Sequence, residues 1–166
     1  MAIHIRPIQQ GDNRALAETI KGVFHEFDAT KEGTVYSDPT TNHLYELFQA
    51  KENAECWVAE EKGNILGCCG VYPTEGLPAG CAEIVKFYLS ANARGKGVGK
   101  QLMEKSEASA IQFGYTQLYI ESLPEFDKAV RIYEQQGYKK IDAPMGNSGH
   151  PGCTIWMVKD LSMTNR

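Results

Sequence analysis

The strongest constraint on the fold is a glycine-rich, basic segment, ARGKGVGKQLM at residues 93–103, which lies between two apolar stretches. CAEIVKFYLS before it predicts a strand, and GKQLMEKSEASAIQFG, which overlaps its end, predicts an amphipathic helix. QLYIES then predicts a strand, and DKAVRIYEQQGY predicts a helix that ends at Gly137. A strand, helix, strand order implies a right-handed crossover, so we expect Leu89 and Ile120 in neighbouring parallel strands.

The rest of the chain predicts further strands and helices around this unit. IHIRPI predicts a first strand, CWVAEE and ILGCCGVY predict a hairpin around Gly63 and Asn64, and YKKI and CTIWMVKDL predict a closing hairpin. Apolar spacing predicts helices after Asp12 and over residues 43–52. We therefore expect an α/β (α+β) fold: one domain over residues 1–166, with a mixed central sheet of about six to seven strands, helices on both faces and a parallel pair in the middle.

Composition excludes several classes of protein. A length of 166 residues suits one core, and a net charge of -4 argues against nucleic-acid binding. No stretch approaches the roughly 18 apolar residues of a membrane span, so we expect no membrane association. The 5 cysteines include no C-x-x-C pair, and the 4 histidines show no metal spacing. These features predict reduced thiols, no metal and a cytoplasmic location.

The glycine-rich segment does not match two common phosphate-binding loops. A P-loop would require glycine at position 94 and serine or threonine at position 101, where the chain has Arg94 and Gln101. A dinucleotide fingerprint beginning at residue 95 would need its third glycine at Lys100, one residue after Gly99. The segment is therefore neither a nucleotide-triphosphate loop nor a dinucleotide loop.

The pattern that remains is Arg94-x-x-Gly97-x-Gly99 between a strand and a helix. Glycines at this place allow a tight turn that directs backbone N–H groups and the positive helix N-terminus at a pyrophosphate. Lys96 and Lys100 add positive charge at the rim. The alternative is a surface turn that is basic by chance, but the strand before it and the amphipathic helix after it favour phosphate binding.

These residues resemble the GNAT superfamily of acetyl-coenzyme A dependent N-acetyltransferases. AEIVKFYLSANARGKGVGKQLM is similar to the family's strand, loop and helix, and AVRIYEQQGY is similar to its later A-x-x-x-Y-x-x-x-G-[FY] helix. The resemblance covers about Cys81 to Tyr138 and departs at Phe126, where the family often has asparagine. It implies acetyl-CoA as cosubstrate and an amine as acceptor, either a small molecule or a protein lysine or N-terminus. Family analogy also allows a homodimer.

The resemblance also implies roles for individual residues. The hydroxyl of Tyr133 would protonate the departing thiolate, and an N–H near Leu89, where the family's strand bulges, would stabilise the oxyanion. The residues that would hold the coenzyme are Phe87, Tyr88, Leu89, Arg94, Gly95, Lys96, Gly97, Val98, Gly99, Lys100 and Tyr133. The alternative for Tyr133 is a packing role beside Ala129 and Ile132.

A base must remove a proton from the amine, which is mostly charged at neutral pH. Glu83 lies eleven residues before Arg94, the spacing of the catalytic glutamate in similar protein acetyltransferases. A carboxylate in a central strand is costly without a role, and burial would raise its pKa toward that of a useful base. A structural pair with Lys86 or a sheet-edge position is the alternative, and Glu121 or water could serve as base instead.

The sequence therefore predicts an acyltransferase that moves an acetyl group from acetyl-CoA to a primary amine in a ternary complex. The resemblance implies that the acceptor lies between residues 28–42 and residues 142–151. An acetyl-CoA or coenzyme A binding module without turnover is the alternative function.

Overall fold

The computed structural model describes residues 2–161, whose strands form one seven-stranded mixed sheet in the order β1-β2-β3-β4-β5-β7-β6. Met1 and residues 162–166, which the predicted domain includes, lie outside the described residues. The strands are β1 (His4–Pro7), β2 (Glu55–Glu61), β3 (Asn64–Tyr72), β4 (Cys81–Leu89), β5 (Gln117–Ser122), β6 (Lys139–Ile141) and β7 (Ile155–Asp160). All neighbouring strands are antiparallel except β4 and β5.

Helices cover both faces of the sheet, which confirms the predicted fold class. They are α1 (Asn13–Glu26), α2 (Leu44–Gln49), α3 (Val98–Gln112) and α4 (Asp127–Gln135). On one face α3 and α4 contribute Leu102 and Val130 to one apolar cluster. On the other face α1 and α2 contribute Leu16 and Phe48 to a second cluster. The two layers of helices enclose the sheet from both sides and leave its central strands buried.

The two parallel strands separate halfway along their length. β4 pairs with β5 from Cys81 opposite Gln117 to Ile84 opposite Ile120, and no further pairing joins them among the described residues. β4 nevertheless continues to Leu89, while β5 remains paired with β7 up to Ser122. The sheet therefore opens between the carboxyl ends of its two central strands.

A β-bulge lies at the point where β4 leaves β5. Val85 faces Gly70 and Tyr88 faces Cys68, so β4 has one more residue than β3 between these two pairs. Lys86, inside the bulge, has a φ of 58°, which is a left-handed conformation that non-glycine residues seldom adopt. The bulge begins at Lys86, a few residues earlier than the sequence analysis placed it, and it bends β4 away from its parallel neighbour.

Two other findings concern the expectations about membrane spans and cysteine thiols. No helix in residues 2–161 is long and apolar enough to cross a membrane. All five cysteines are free thiols, and only Cys153 is not fully buried.

Candidate active site

A cleft of about 490 Å³ lies in the opening between β4 and β5. Its walls come from these two strands, the C-terminal end of α1, the first turn of α3, one side of α4 and a late loop that ends at Cys153. The cleft therefore combines the glycine-rich segment with both carboxylates that the sequence analysis considered as bases.

The glycine-rich segment turns into α3 through two left-handed residues. Gly95 has a φ of 79° and Gly97 a φ of 75°, and a Cβ added at either would meet nothing within 4 Å. The first bond within α3 runs from Gln101 N–H to the Gly97 carbonyl at 3.2 Å. The backbone N–H groups of residues 98–100 therefore have no carbonyl partner inside the helix, as expected for a helix start. The open space around Gly95 and Gly97 and the unpaired N–H groups at the start of α3 together suit the binding of an anion.

Gly99 has a different role from the two glycines before it. A Cβ at this position would lie 3.0 Å from Leu89 Cδ1 and 3.2 Å from Phe87 Cζ, both on β4. Glycine thus lets the first turn of α3 approach the end of β4 closely. Val98 beside it is buried, so this turn is fixed by packing.

The basic side chains of the segment contact other parts of the protein. Arg94 forms an ion pair with Glu26, donates a bond of 2.9 Å to the Leu89 carbonyl and lies over the Phe27 ring. Lys96 lies 3.6 Å from Glu61. The Arg94 guanidinium therefore connects α1 to the end of β4. Lys100 forms no such contact among the described residues, and it lines the cleft together with Arg94, whereas Lys96 does not line it.

The N–H of Leu89 points into the opening of the sheet. Ser90 N–H bonds the Leu66 carbonyl of β3 at 2.8 Å. In an antiparallel pair successive residues direct their N–H groups to opposite sides, so Leu89 directs its own away from β3. Its carbonyl, on the same side, accepts the Arg94 bond. The N–H predicted to stabilise an oxyanion therefore lies on the open edge of β4.

The aromatic residues of β4 point to opposite faces of the sheet. The Phe87 ring lies 5.7 Å from that of Tyr133, on the α4 side. The Tyr88 ring lies 5.4 Å from that of Phe24, on the α1 side. Phe126, in place of the family's frequent asparagine, packs its ring edge-on to Phe24 at 5.2 Å. This position therefore supplies an apolar wall and no side-chain hydrogen bond.

Tyr133 lies on the inner side of α4 with its hydroxyl open to the cleft. The residue is buried and lines the cleft, and its hydroxyl makes no hydrogen bond to the described residues. Burial raises its pKa, so the hydroxyl keeps its proton. The helix end fixes its backbone, because Tyr138 N–H bonds the Tyr133 carbonyl at 3.0 Å around Gly137, a Schellman-type bond.

Glu83 is a buried carboxyl group in the wall of the cleft. Its side chain accepts a bond of 2.6 Å from the Thr74 hydroxyl, and only 4% of the residue is exposed. Burial raises the pKa of Glu83 to about 8, with a smaller contribution from the charge of Glu121, while Thr74 and Lys86 act in the opposite direction. Glu83 forms no ion pair with Lys86 among the described residues, and its strand is central, so neither structural alternative is found.

Glu121 also lines the cleft, but both of its oxygens accept hydrogen bonds. The Tyr119 hydroxyl donates to Oε2 at 2.7 Å, and the Ser148 hydroxyl donates to Oε1 at 2.5 Å. Ser148 belongs to the late loop over residues 142–151. Glu121 thus anchors that loop to the end of β5.

The two loops expected around the acceptor contact each other. His150 Nε2 lies 2.6 Å from Asp38 Oδ2, and Gly152 N–H bonds the Gly33 carbonyl at 2.7 Å. The hydrogen bonds that Asp38 accepts from His150 and Thr40 lower its pKa, although burial acts against them. Asp38 and His150 were not predicted from the sequence, because they are far apart in the chain and belong to no motif.

The open parallel pair, the bulge and the glycine turn meet at one cleft, as expected for the acyltransferase family that the sequence resembles. A family model described as Acetyltransferase (GNAT) family matches residues 20–138. The chain belongs to this family.

Relatives and solved structures agree with this assignment. The uncharacterized N-acetyltransferase YjgM of Escherichia coli is 30% identical over 158 residues, which is 95% of this chain and 94% of that protein. IAA acetyltransferase of Azospirillum brasilense is 29% identical over 73% of this chain and 78% of that protein.

Two solved structures show the same fold at low identity. An acetyltransferase of the GNAT family from Staphylococcus aureus has a TM-score of 0.82 at 20% identity and covers 96% of this chain and 99% of its own. PaiA N-acetyltransferase from Thermoplasma acidophilum, in complex with coenzyme A, has a TM-score of 0.74 at 18% identity and covers 96% of this chain and 99% of its own. The chain is thus an acyltransferase of the GNAT type.

Proposed function

We propose that the chain transfers the acetyl group of acetyl-CoA to a primary amine by direct attack in a ternary complex. One observation carries the proposal: a single cleft through the sheet joins the glycine turn, the Tyr133 hydroxyl and the buried Glu83 carboxyl. We name two parts of this cleft. The donor half consists of Leu89, Gly95, residues 97–100 and Tyr133. The acceptor half consists of Glu83, Lys86, Glu121 and His150, together with Asp38, which contacts His150 but does not itself line the cleft.

In the donor half the N–H groups of residues 98–100 would bind the pyrophosphate of the coenzyme. They point out from the helix start into open space, and the left-handed glycines leave no Cβ between them and a ligand. The acyl arm would then follow the unpaired edge of β4, since the Leu89 N–H lies on that edge. A similarly folded protein is in complex with coenzyme A, which supports coenzyme A as the kind of ligand that this fold binds.

The reaction requires a base that deprotonates the amine, a donor that stabilises the oxyanion and an acid that protonates the thiolate. Glu83 removes a proton from the acceptor ammonium, and the neutral amine attacks the thioester carbonyl carbon. The carbonyl oxygen becomes an oxyanion, which the Leu89 N–H stabilises. When the C–S bond breaks, the Tyr133 hydroxyl gives its proton to the thiolate. As the amide forms, its nitrogen loses a second proton, which restores the Tyr133 hydroxyl. The products are the amide and free coenzyme A, and Glu83 then releases its proton to solvent.

Glu83 suits the role of base better than Glu121. A pKa of about 8 lies near neutral pH, where a base is most effective. Glu121 instead uses both oxygens to hold Tyr119 and Ser148. If Glu83 were replaced by water in this role, the rate would depend little on its carboxyl group.

A single-turnover experiment tests the proposal. The protein is mixed with acetyl-CoA and a broad panel of amines, and the consumption of acetyl-CoA is followed. Thiol release together with an acetylated amine in the mass spectrum is the expected result. Tight coenzyme binding by calorimetry without thiol release from any amine would instead indicate the alternative, a binding module.

A further inference from the structure

Lys86 is a buried cation in the acceptor half. Only 6% of the residue is exposed, and it lines the cleft at the bulge of β4. A buried ammonium is costly unless a counter-charge or hydrogen-bond acceptors compensate for the lost water. The proposed chemistry gives Lys86 no role.

No protein group bonds the Lys86 ammonium among residues 2–161. Asp38 and Glu83 lie near enough to favour its charged form, but neither forms an ion pair or hydrogen bond with it. Both carboxyl groups already have other partners. Asp38 accepts bonds from His150 at 2.6 Å and Thr40 at 2.7 Å, and Glu83 accepts one from Thr74. The two carboxyl groups that act on Lys86 electrostatically are therefore hydrogen-bonded to other side chains instead.

The ammonium is not enclosed by protein. The fully enclosed side-chain nitrogens and oxygens without a partner, within the described part of the chain, are Ser90 Oγ and Glu125 Oε1. Lys86 Nζ also has no partner and is not one of these atoms, so it retains accessible surface. Because the residue lines the cleft, that surface faces the cleft. Burial lowers the pKa of Lys86, because the ammonium form is disfavoured away from water.

The bulge brings this cation close to the proposed base. Residues three apart on a regular strand point to opposite faces, but the extra residue at the bulge changes the alternation. Glu83 and Lys86 interact electrostatically across it. One strand thus presents a proton acceptor for an amine and, beside it, a single free positive charge.

We propose that the acceptor is an amino acid, whose amine is directed to Glu83 and whose carboxylate binds the ammonium of Lys86. This inference rests on the proposed function. One cation among Asp38, Glu83 and Glu121 matches a single negative charge better than a dianion, which the carboxylates would repel. An internal lysine of a protein carries no such carboxylate.

Acetylation of amino acids should be compared with that of their methyl esters and their decarboxylated amines, at equal concentrations of free amine. We expect wild-type kcat/KM to be at least about 30-fold higher for the amino acids, the scale of losing one partner of a buried charge pair. Equal rates for the esters or amines would overturn the inference while leaving the proposed function intact. No turnover with any amine would refute the proposed function first.

Lys86→Met should raise KM for amino acids by about 30-fold, change KM for the esters by less than about threefold, and leave acetyl-CoA affinity unchanged. Lys140→Met, at an exposed lysine on β6, is the matched control. It should change neither the KM for amino acids nor the KM for their esters. An equal loss for both acceptor types would show that Lys86 acts in catalysis or folding and would contradict the inference. If Lys86→Met does not fold, the comparison of amino acids with their esters and amines on the wild-type protein still tests the inference.

Discussion

The donor half and the acceptor half of the cleft differ in how the chain builds them. The donor half comes mainly from one continuous strand, turn and helix, to which α4 adds Tyr133. The acceptor half joins segments that are far apart, since Asp38 and His150 are 112 residues apart and Glu121 and Ser148 are 27 apart. Local sequence therefore encodes the first half, whereas only the tertiary fold assembles the second.

The two halves also differ in what they offer a ligand. The donor half presents backbone N–H groups and a tyrosine that keeps its proton. The acceptor half presents ionisable side chains, two of which, Glu83 and Lys86, are buried and have pKa values displaced by that burial. Backbone donors suit a cosubstrate that many proteins of one family share, and buried charges suit discrimination among acceptors.

The largest expected effect tests the donor half at its reacting end. Tyr133→Phe removes only the hydroxyl, and the ring keeps its contacts with Phe87 and Tyr138. Loss of a positioned general acid should lower kcat by roughly 10²-fold or more, with a much smaller change in KM for acetyl-CoA. Steady-state kinetics with several amines measures this, and an unaltered melting temperature is the control. A variant with wild-type kcat would mean that water supplies the proton.

The next effect tests the proposed base in the acceptor half. Glu83→Gln should lower turnover at neutral pH by roughly 10- to 100-fold and leave acetyl-CoA affinity intact. Activity should partly recover at higher pH, as more of the amine is neutral. In wild type the rate should rise toward pH 8, because the pKa of Glu83 is about 8 and only its ionised form accepts a proton. Rate profiles of both proteins from pH 6 to pH 10 would show this.

Measurements of stability on wild type and Glu83→Gln, set beside turnover, separate a catalytic role of Glu83 from a structural one. The pKa of Glu83 is higher in the folded chain than its ordinary 4.5, so ionisation opposes folding. Wild-type stability should therefore decrease as the pH rises from about 4.5 toward 8, by at most roughly 1.4 kcal/mol per pH unit. Glu83→Gln should lack this decrease. Near-normal turnover with a lower melting temperature at neutral pH would indicate a purely structural residue.

Sequence alone predicted most of the fold and the cleft-lining residues that belong to a local motif, for a physical reason. Every predicted strand and helix is present, because apolar periodicity and the turn at Gly63 act over short distances. The bulge at Lys86 was placed too late, since a left-handed non-glycine residue has no local signal. Asp38 and His150 were missed because their contact depends on how two irregular loops fold over the sheet.

A smaller effect tests whether the donor half binds the coenzyme through its backbone. Gly97→Ala should weaken acetyl-CoA binding about tenfold, since the added Cβ would occupy the open space before α3 and strain a φ of 75°. Gly63→Ala is the matched control, because Gly63 has a φ of 81° and equally empty surroundings but lies in the β2–β3 turn. Calorimetry on both variants separates strain from binding. Equal affinity in both would contradict a phosphate-binding turn.

The smallest effect tests the acceptor half through the contact that joins its two loops. His150→Ala removes the partner of Asp38, so the loops over residues 28–42 and 142–151 should be held less firmly. We expect KM for the amine to rise about threefold and stability to fall by about 1 kcal/mol, the scale of one hydrogen bond. Affinity for acetyl-CoA should not change. A change in coenzyme affinity instead would show that the two halves are not independent.

The acid sensitivity of the same variant gives a second measurement. In wild type the pKa of Asp38 is lowered, with its bonds to His150 and Thr40 outweighing burial. Its contribution to stability is therefore present above its ordinary value of 3.8 and is lost as the pH falls through the lower folded value. Because His150→Ala removes one of these bonds, the variant should lose less stability than wild type between neutral pH and about pH 3. Thermal unfolding across that range measures the difference, and parallel curves for the two proteins would show that the Asp38–His150 contact does not stabilise the loops.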